Sequence, residues 1–206
     1  MKIAIIGSGN VGGTLAKKWL QAGHEVLVGA RFPLSQRNIE LAKVIGENCF
    51  TTIDEAVKQS DILLLATPAP SAVDVTRSLG DTTGKIIIDT MNIVMGRGPA
   101  GFTTTTDAIL ANTQTTDVVK CFNTTGFNNM MNPQYGITPL DLFMAGDSEQ
   151  AKAAARQLAL DAGFAECYSI GGNDKFQLME QFAWFWINLA MFQGQGREIG
   201  FKLMKR

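Results

Sequence analysis

The run Lys2-Ile3-Ala4-Ile5-Ile6 leads straight into Gly7-Ser8-Gly9-Asn10-Val11-Gly12. The apolar run reads as a strand buried on both faces of a parallel sheet. Three glycines spaced G-x-G-x-x-G are weak evidence alone. Here they are followed by Leu15, Ala16, Trp19 and Leu20 at helical spacing, and then by a second apolar run, Glu25-Val26-Leu27-Val28. Strand, glycine turn, helix and strand within about 30 residues form the unit that binds dinucleotides. Gly7 permits the tight turn, Gly9 lets the backbone approach a pyrophosphate, and Gly12 lets the helix pack near the strand. Ser8, Asn10 and Val11 complete the turn, whose helix N-terminus offers unpaired N–H groups to phosphate oxygens.

The end of the second strand bears on which dinucleotide fits. An NAD site usually carries Asp or Glu about 20 residues beyond the glycines, bonded to the ribose 2′-hydroxyl. This chain has Gly29-Ala30-Arg31 there. A carboxylate repels a 2′-phosphate, whereas a guanidinium pairs with it bidentately. Ser35 and Arg37 follow closely and add a hydroxyl and a second charge. The expected cofactor is therefore NADP(H), with Ala30, Arg31 and Ser35 at the 2′-phosphate.

The rest of the chain alternates apolar runs with helical segments. Strands are expected at 2–6, 25–29, 61–66, 85–89, 118–122 and 142–146, with short ones beginning near Cys49-Phe50 and over 167–170. Helices are expected at 11–22, 36–45, 54–59 (capped by Thr51 or Thr52), 71–79, 148–162 and 174–193. Pro68, after Thr67, fits a strand end. Residues 90–106 and 123–140 carry many Gly, Thr, Asn and Pro residues and read as loops leaving carboxyl ends of strands, where ligands bind in open α/β sheets. The expectation is a single α/β domain over 1–206. It is a Rossmann-type, doubly wound, mostly parallel sheet with right-handed crossovers, and 174–206 form a C-terminal helix and tail.

Composition narrows the functional class. Hydrophobic residues make up 46% and charged residues 18%, with a net charge of −1, which fits a globular domain. No basic stripe suggests nucleic acid as a partner. Cys49, Cys121 and Cys167 have no CxxC spacing and read as free thiols in a reducing compartment, so a cytoplasmic location is expected. No zinc pattern is present, and no metal is expected. The chain begins inside its first strand, leaving no room for a signal peptide. Phe182 to Phe192 is too short to span a bilayer, and no membrane partner is expected.

Several blocks resemble the NADP-dependent oxidoreductase family typified by coenzyme F420:NADP oxidoreductase. They are Ile5 to Gly12, Gly29-Ala30-Arg31, Ala66-Thr67-Pro68, Ile88-Asp89-Thr90-Met91-Asn92, Val119-Lys120-Cys121-Phe122-Asn123-Thr124 and Phe143 to Asp147. The resemblance extends into the Trp186–Arg206 tail. Phe122-Asn123-Thr124 is the most discriminating block. The resemblance implies NADP along the glycine turn and hydride transfer to a flavin or deazaflavin acceptor. Ser8, Gly9, Asn10 and Val11 would then hold the pyrophosphate. Thr67, Pro68, Asn92 and Asn123 would line the nicotinamide end. The family often has a lysine near the place of Ser35, which is absent here. Reduction of a small imine or carbonyl, and nucleotide binding without turnover, are the competing readings.

The sole histidine, His24, lies at the amino end of strand two, away from the expected site, and reads as structural. No catalytic residue is assigned: hydride transfer between two stacked rings needs orientation more than a protein acid. Asp89 is expected to brace a loop. Trp184, Phe185, Trp186 and Leu189 make the last helix too apolar for one wet face, which points to burial against a twofold partner and hence a homodimer. Arg197, Lys202, Lys205 and Arg206 read as a solvated basic tail.

Overall fold

The computed structural model describes residues 1–206, with every side chain except those of Arg37 and Glu47. Strand β1 (Lys2–Ile6) lies between β2 (Glu25–Gly29) and β4 (Ile62–Leu65), all parallel. The short β3 (Phe50–Thr51) extends the sheet past β2. On the other side come β5 (Ile86–Asp89) and β6 (Val118–Cys121), also parallel. Two further strands, β9 (Asp141–Ala145) and β10 (Glu166–Ser169), run parallel to each other, but β9 is antiparallel to β6. The sheet order is thus β10-β9-β6-β5-β4-β1-β2-β3, and only the last two strands in chain order oppose the rest. The expected mostly parallel, doubly wound sheet is present.

Helices cover both faces because both faces of the strands are apolar. Ile3 and Ile5 point to one side, beneath α1 (Asn10–Gln21) and α7 (Glu149–Asp161), where they join Leu15, Trp19 and Leu158. Ala4 and Ile6 point to the other, where Leu63, Leu65 and Ile87 meet α3 (Ile53–Lys58), α4 (Ala72–Arg77) and α5 (Thr105–Asn112). Trp19 is fully buried, and its indole N–H donates to the Leu158 carbonyl at 2.9 Å, which ties α1 to α7. α2 (Gln36–Ile45) lies beside α1 at the β3 edge. Thr52, one of the two expected caps, accepts a hydrogen bond from the Glu55 N–H and starts α3.

Four expectations require correction. The Thr-rich part of 90–106 is not all loop, because Thr104 caps α5 and its hydroxyl accepts from the Asp107 N–H. Residues 123–140 contain α6 (Phe127–Met131) and a small hairpin of β7 (Gln134–Tyr135) and β8 (Thr138–Pro139). The final helix α8 (Phe176–Ile187) starts two residues later than expected and runs into a π turn over Asn188–Phe192. The basic tail is docked rather than simply solvated. The Asp141 N–H donates to the Phe201 carbonyl, Lys202 pairs with Asp141 at 2.8 Å, and the Phe201 ring lies 4.9 Å from Phe182. Lys205 sits over the Tyr168 ring and Arg197 over Phe127.

Candidate functional site

At the carboxyl edge of β1 the chain bends sharply at Gly7, whose φ is +115°. A Cβ there would lie 2.5 Å from the Ala66 carbonyl oxygen, so no side chain fits. A Cβ on Gly12 would stand 1.9 Å from the Gly7 carbonyl oxygen, which makes the third glycine a condition for closing the first turn of α1 onto the strand. Gly9 occupies the N-cap position, so no side chain caps α1. The first-turn N–H groups therefore remain available to an anion, with the positive end of the helix dipole behind them.

Two clefts meet at this turn. One, of about 250 Å³, is lined by Gly7, Ser8, Ala30, Arg31, Ser35 and Thr67 among others. The sequence-predicted 2′-phosphate residues and the glycine turn thus share one concavity. Arg31 is exposed and forms no ion pair among the described residues. The side chain of Arg37 lies outside the described residues. The second cleft, of about 420 Å³, starts at Ser8, Gly9 and Asn10 and follows α1 past Thr14 and Lys17 toward Phe127 and Met131 of α6. Val11 and Gly12 belong to the packed start of α1. Pro68 is exposed and opens a short 3₁₀ turn over Ala69–Ser71.

The amides expected at the nicotinamide end form a reciprocal pair. Asn92 Nδ2 donates to the Asn123 carbonyl, and Asn123 Nδ2 donates to Asn92 Oδ1, each at 3.1 Å. Asn123 Nδ2 also donates to the Met179 carbonyl in α8. Both partners of Nδ2 are acceptors, which fixes the orientation of the amide and leaves Oδ1 buried without a partner among the described residues. Thr124, next in the Phe122-Asn123-Thr124 block, is buried. Phe122, which precedes Asn123, has φ +63°, a strained value for a bulky side chain. Its ring is buried edge-on against Trp19 at 5.7 Å, and that packing holds the turn. Thr67 donates to the Met91 sulfur at 3.4 Å and connects β4 to the loop bearing Asn92.

Beneath the amides lies an ionic cluster. Lys120, fully buried in β6, reaches Asp89 Oδ2 at 3.0 Å and Glu180 Oε1 at 2.9 Å. It also donates to Thr105 Oγ1 at 2.8 Å and to the Met91 carbonyl at 3.0 Å. Asp89 accepts from Thr105, Thr106 and the Met91 N–H, which bears out its expected bracing role. Glu180 Oε2 accepts from the Ile93 N–H at 2.8 Å. Burial alone would depress the lysine; Asp89 and Glu180 outweigh it and hold the ammonium above its ordinary value.

Lys120, Glu180 and Thr105 were not among the expected site residues. A signal existed: Lys120 interrupts the run Val118-Val119-Lys120-Cys121-Phe122, and a charge in a strand buried on both faces requires a buried partner. The sheet register sets Asp89 directly opposite Lys120. His24 lies far from these groups, as expected. Its Nε2 is 2.9 Å from Asp161 at the end of α7, and its ring bridges toward the chain's amino terminus.

Comparison with known proteins agrees with this geometry. Residues 2–93 match the family described as NADP oxidoreductase, coenzyme F420-dependent. A protein provisionally described as an F420-dependent NADP-reductase, from Arthrobacter sp. FB24, superimposes with a TM-score of 0.84 at 22% identity, over 100% of both chains. A hypothetical protein from Sinorhizobium meliloti gives 0.71 at 26% identity, over 84% of this chain and 85% of that one. A reductive aminase from Aspergillus terreus, solved with NADPH and ethyl-5-oxohexanoate, gives 0.63 at 17% identity, over 94% of this chain and 63% of that one.

Proposed function

We propose that this chain, whose residues 2–93 match the family described as NADP oxidoreductase, coenzyme F420-dependent, is an NADP(H)-dependent oxidoreductase that passes hydride between NADPH and a flavin-type acceptor such as coenzyme F420. The observation that carries the reading is the shared cleft of Gly7, Ser8, Ala30, Arg31 and Ser35 beside an uncapped helix N-terminus. Gly7 to Gly12 hold the pyrophosphate through backbone N–H groups. Arg31, Ser35 and the Ala30 backbone meet the 2′-phosphate. Thr67, Pro68, Asn92 and Asn123 border the nicotinamide.

Bound there, the nicotinamide would supply a hydride to the acceptor ring, with the balancing proton coming from water. The protein's part is to hold the two rings at contact distance and to exclude side reactions. The larger cleft adjoins the glycine turn and combines polar and basic residues, Asn10, Thr14, Lys17 and Lys18, with the apolar Leu41, Phe127 and Met131.

The test is a titration with NADPH followed by addition of F420, FMN or FAD. NADPH oxidation coupled to reduction of one of these supports the reading. Tight NADPH binding with no flavin-type turnover, but oxidation by an imine or carbonyl, assigns the acceptor to that class instead. Binding without turnover of any acceptor reduces the chain to a nucleotide-binding protein.

A homodimer is part of the proposal. Trp184, Phe185, Met191 and Phe192 remain exposed on α8 and its π turn, and together they form an apolar strip that a second copy would cover. Light scattering after size exclusion checks the mass. The three free cysteines fit a reducing compartment, which supports a cytoplasmic setting. No helix is long and apolar enough to cross a membrane.

A further inference from the structure

We propose that the buried Lys120–Asp89–Glu180 cluster positions Asn92 at the nicotinamide end, with Glu180 acting from α8 as the adjustable member; the inference rests on the cofactor reading above. The cluster grips the backbone on both sides of Asn92. Met91 is held at both polar atoms: its N–H donates to Asp89 Oδ1 at 2.9 Å and its carbonyl accepts from Lys120 at 3.0 Å. Ile93 is held by its N–H on Glu180 Oε2 at 2.8 Å. Asn92 itself is partly exposed, and its amide is locked to Asn123. Three backbone groups flanking Asn92 thus end on Asp89, Lys120 and Glu180.

Stability alone does not account for this arrangement. Two carboxylates and one ammonium are withdrawn from water, and well-packed apolar residues of similar volume often serve a core equally well or better. What apolar residues cannot do is accept from Ile93 and Met91 and donate to Met91 at fixed angles. The cluster also gathers separate parts of the chain onto the loop: β5 through Asp89, β6 through Lys120, α5 through Thr105 and α8 through Glu180. The second α8 contact, from Asn123 to the Met179 carbonyl, lies one residue from Glu180. Movement of α8 by a fraction of a turn would therefore disturb both amides at once. Hydride transfer is sensitive to such displacement, since a misplacement of about 1 Å can cost about 100-fold in rate.

Glu180→Met and Glu180→Gln test the proposal. Both leave the Lys120–Asp89 pair balanced in charge. The glutamine keeps one oxygen, which serves the Ile93 N–H only by turning its amide nitrogen toward Lys120; the methionine fills the space with no acceptor. NADPH affinity is measured by titration, and order at the nicotinamide by the fluorescence lifetime of bound NADPH, with no acceptor present. Glu180→Met is expected to change NADPH affinity by less than about 3-fold, because the phosphate grips lie elsewhere, and to shorten the lifetime toward that of free NADPH. Glu180→Gln, which keeps one of the two acceptors, is expected to give a lifetime between those of the wild type and Glu180→Met. In an Asn92→Ala background, Glu180→Met should add nothing to the lifetime change. Should Glu180→Met not fold, Glu180→Gln takes its place: a shortened lifetime whose difference vanishes in the Asn92→Ala background supports the proposal, and a wild-type lifetime overturns it. A wild-type lifetime in Glu180→Met overturns the proposal and leaves the cluster a scaffold. Failure of the wild-type chain to bind NADPH overturns the cofactor reading, and the proposal with it, before any variant is compared.

Discussion

Asp141, buried at the start of β9, holds Lys202 at 2.8 Å on one carboxylate oxygen and the Leu203 N–H at 2.9 Å on the other. One side chain therefore ties two successive tail residues to the antiparallel strand β9. Asp141→Asn keeps an acceptor for Leu203 but loses the charge. It is expected to cost about 1–2 kcal/mol in urea unfolding and to expose the tail to limited proteolysis ahead of the rest of the chain.

Arg31→Ala is expected to weaken NADPH by about 10-fold and NADH by less than about 2-fold, since an exposed guanidinium gains only part of a charge-assisted bond to the 2′-phosphate. Parallel titrations with the two nucleotides measure it. An equal loss for both would mean that Arg31 does not read the phosphate.

Gly12→Ala places a methyl group 1.9 Å from the Gly7 carbonyl oxygen, a backbone atom that cannot swing aside. The expected cost is about 3 kcal/mol or more of stability, together with loss of nucleotide binding, because the turn must open to admit the carbon. Gly84→Ala is a useful contrast. Its Cβ would meet nothing within 4 Å but its φ is +70°, so only the backbone penalty of about 1–2 kcal/mol applies, and nucleotide binding is retained.

Removing the ammonium alone strands two buried carboxylates. Lys120→Met is expected to cost about 3–5 kcal/mol, most of it recovered in the triple variant Asp89→Asn, Lys120→Met, Glu180→Gln. The pH dependence follows from the raised lysine. A pKa above the ordinary 10.5 in the folded chain contributes stability fully below that value, and the contribution is lost as pH rises through the folded value. Wild-type stability should therefore fall steeply above about pH 10.5, and the triple variant should fall less; thermal unfolding across alkaline buffers measures the difference.

Five of the six parallel strands were legible as largely apolar runs between turn residues, the two-residue β3 only as a short strand beginning near Phe50, and the pattern Ile3 to Gly12 ties the first of them to its turn. The reversal at β9 was not: Leu142-Phe143-Met144-Ala145 has the same apolar character whichever way it runs, and direction depends on how the long 123–140 connection returns. α6 escaped notice because Phe127-Asn128-Asn129-Met130-Met131 is short and asparagine-rich, with propensities that favour turns. Its packing against α1 supplies what propensity does not. At the site, Arg31 and the glycines were readable from spacing. Glu180 was hidden, since it lies far along the chain on a helix whose apolar residues drew attention to burial instead.

The reversal at β9 divides the labour between the two rims of the sheet. Gly146, Asp147 and Ser148 leave β9 beside Val118 and Asp117, at the amino end of β6, and Asp147 is laced there to Asn173. The nucleotide turn, the amide pair and the clefts around Ser8 all lie at the other rim. The rim at 146–148 and 171–173 is closely fitted, since a Cβ on Gly172 would lie 2.2 Å from Asp147 Oδ1, and it leads directly into α8, so an insertion there is carried along that helix to Glu180 and the amide pair at the opposite rim.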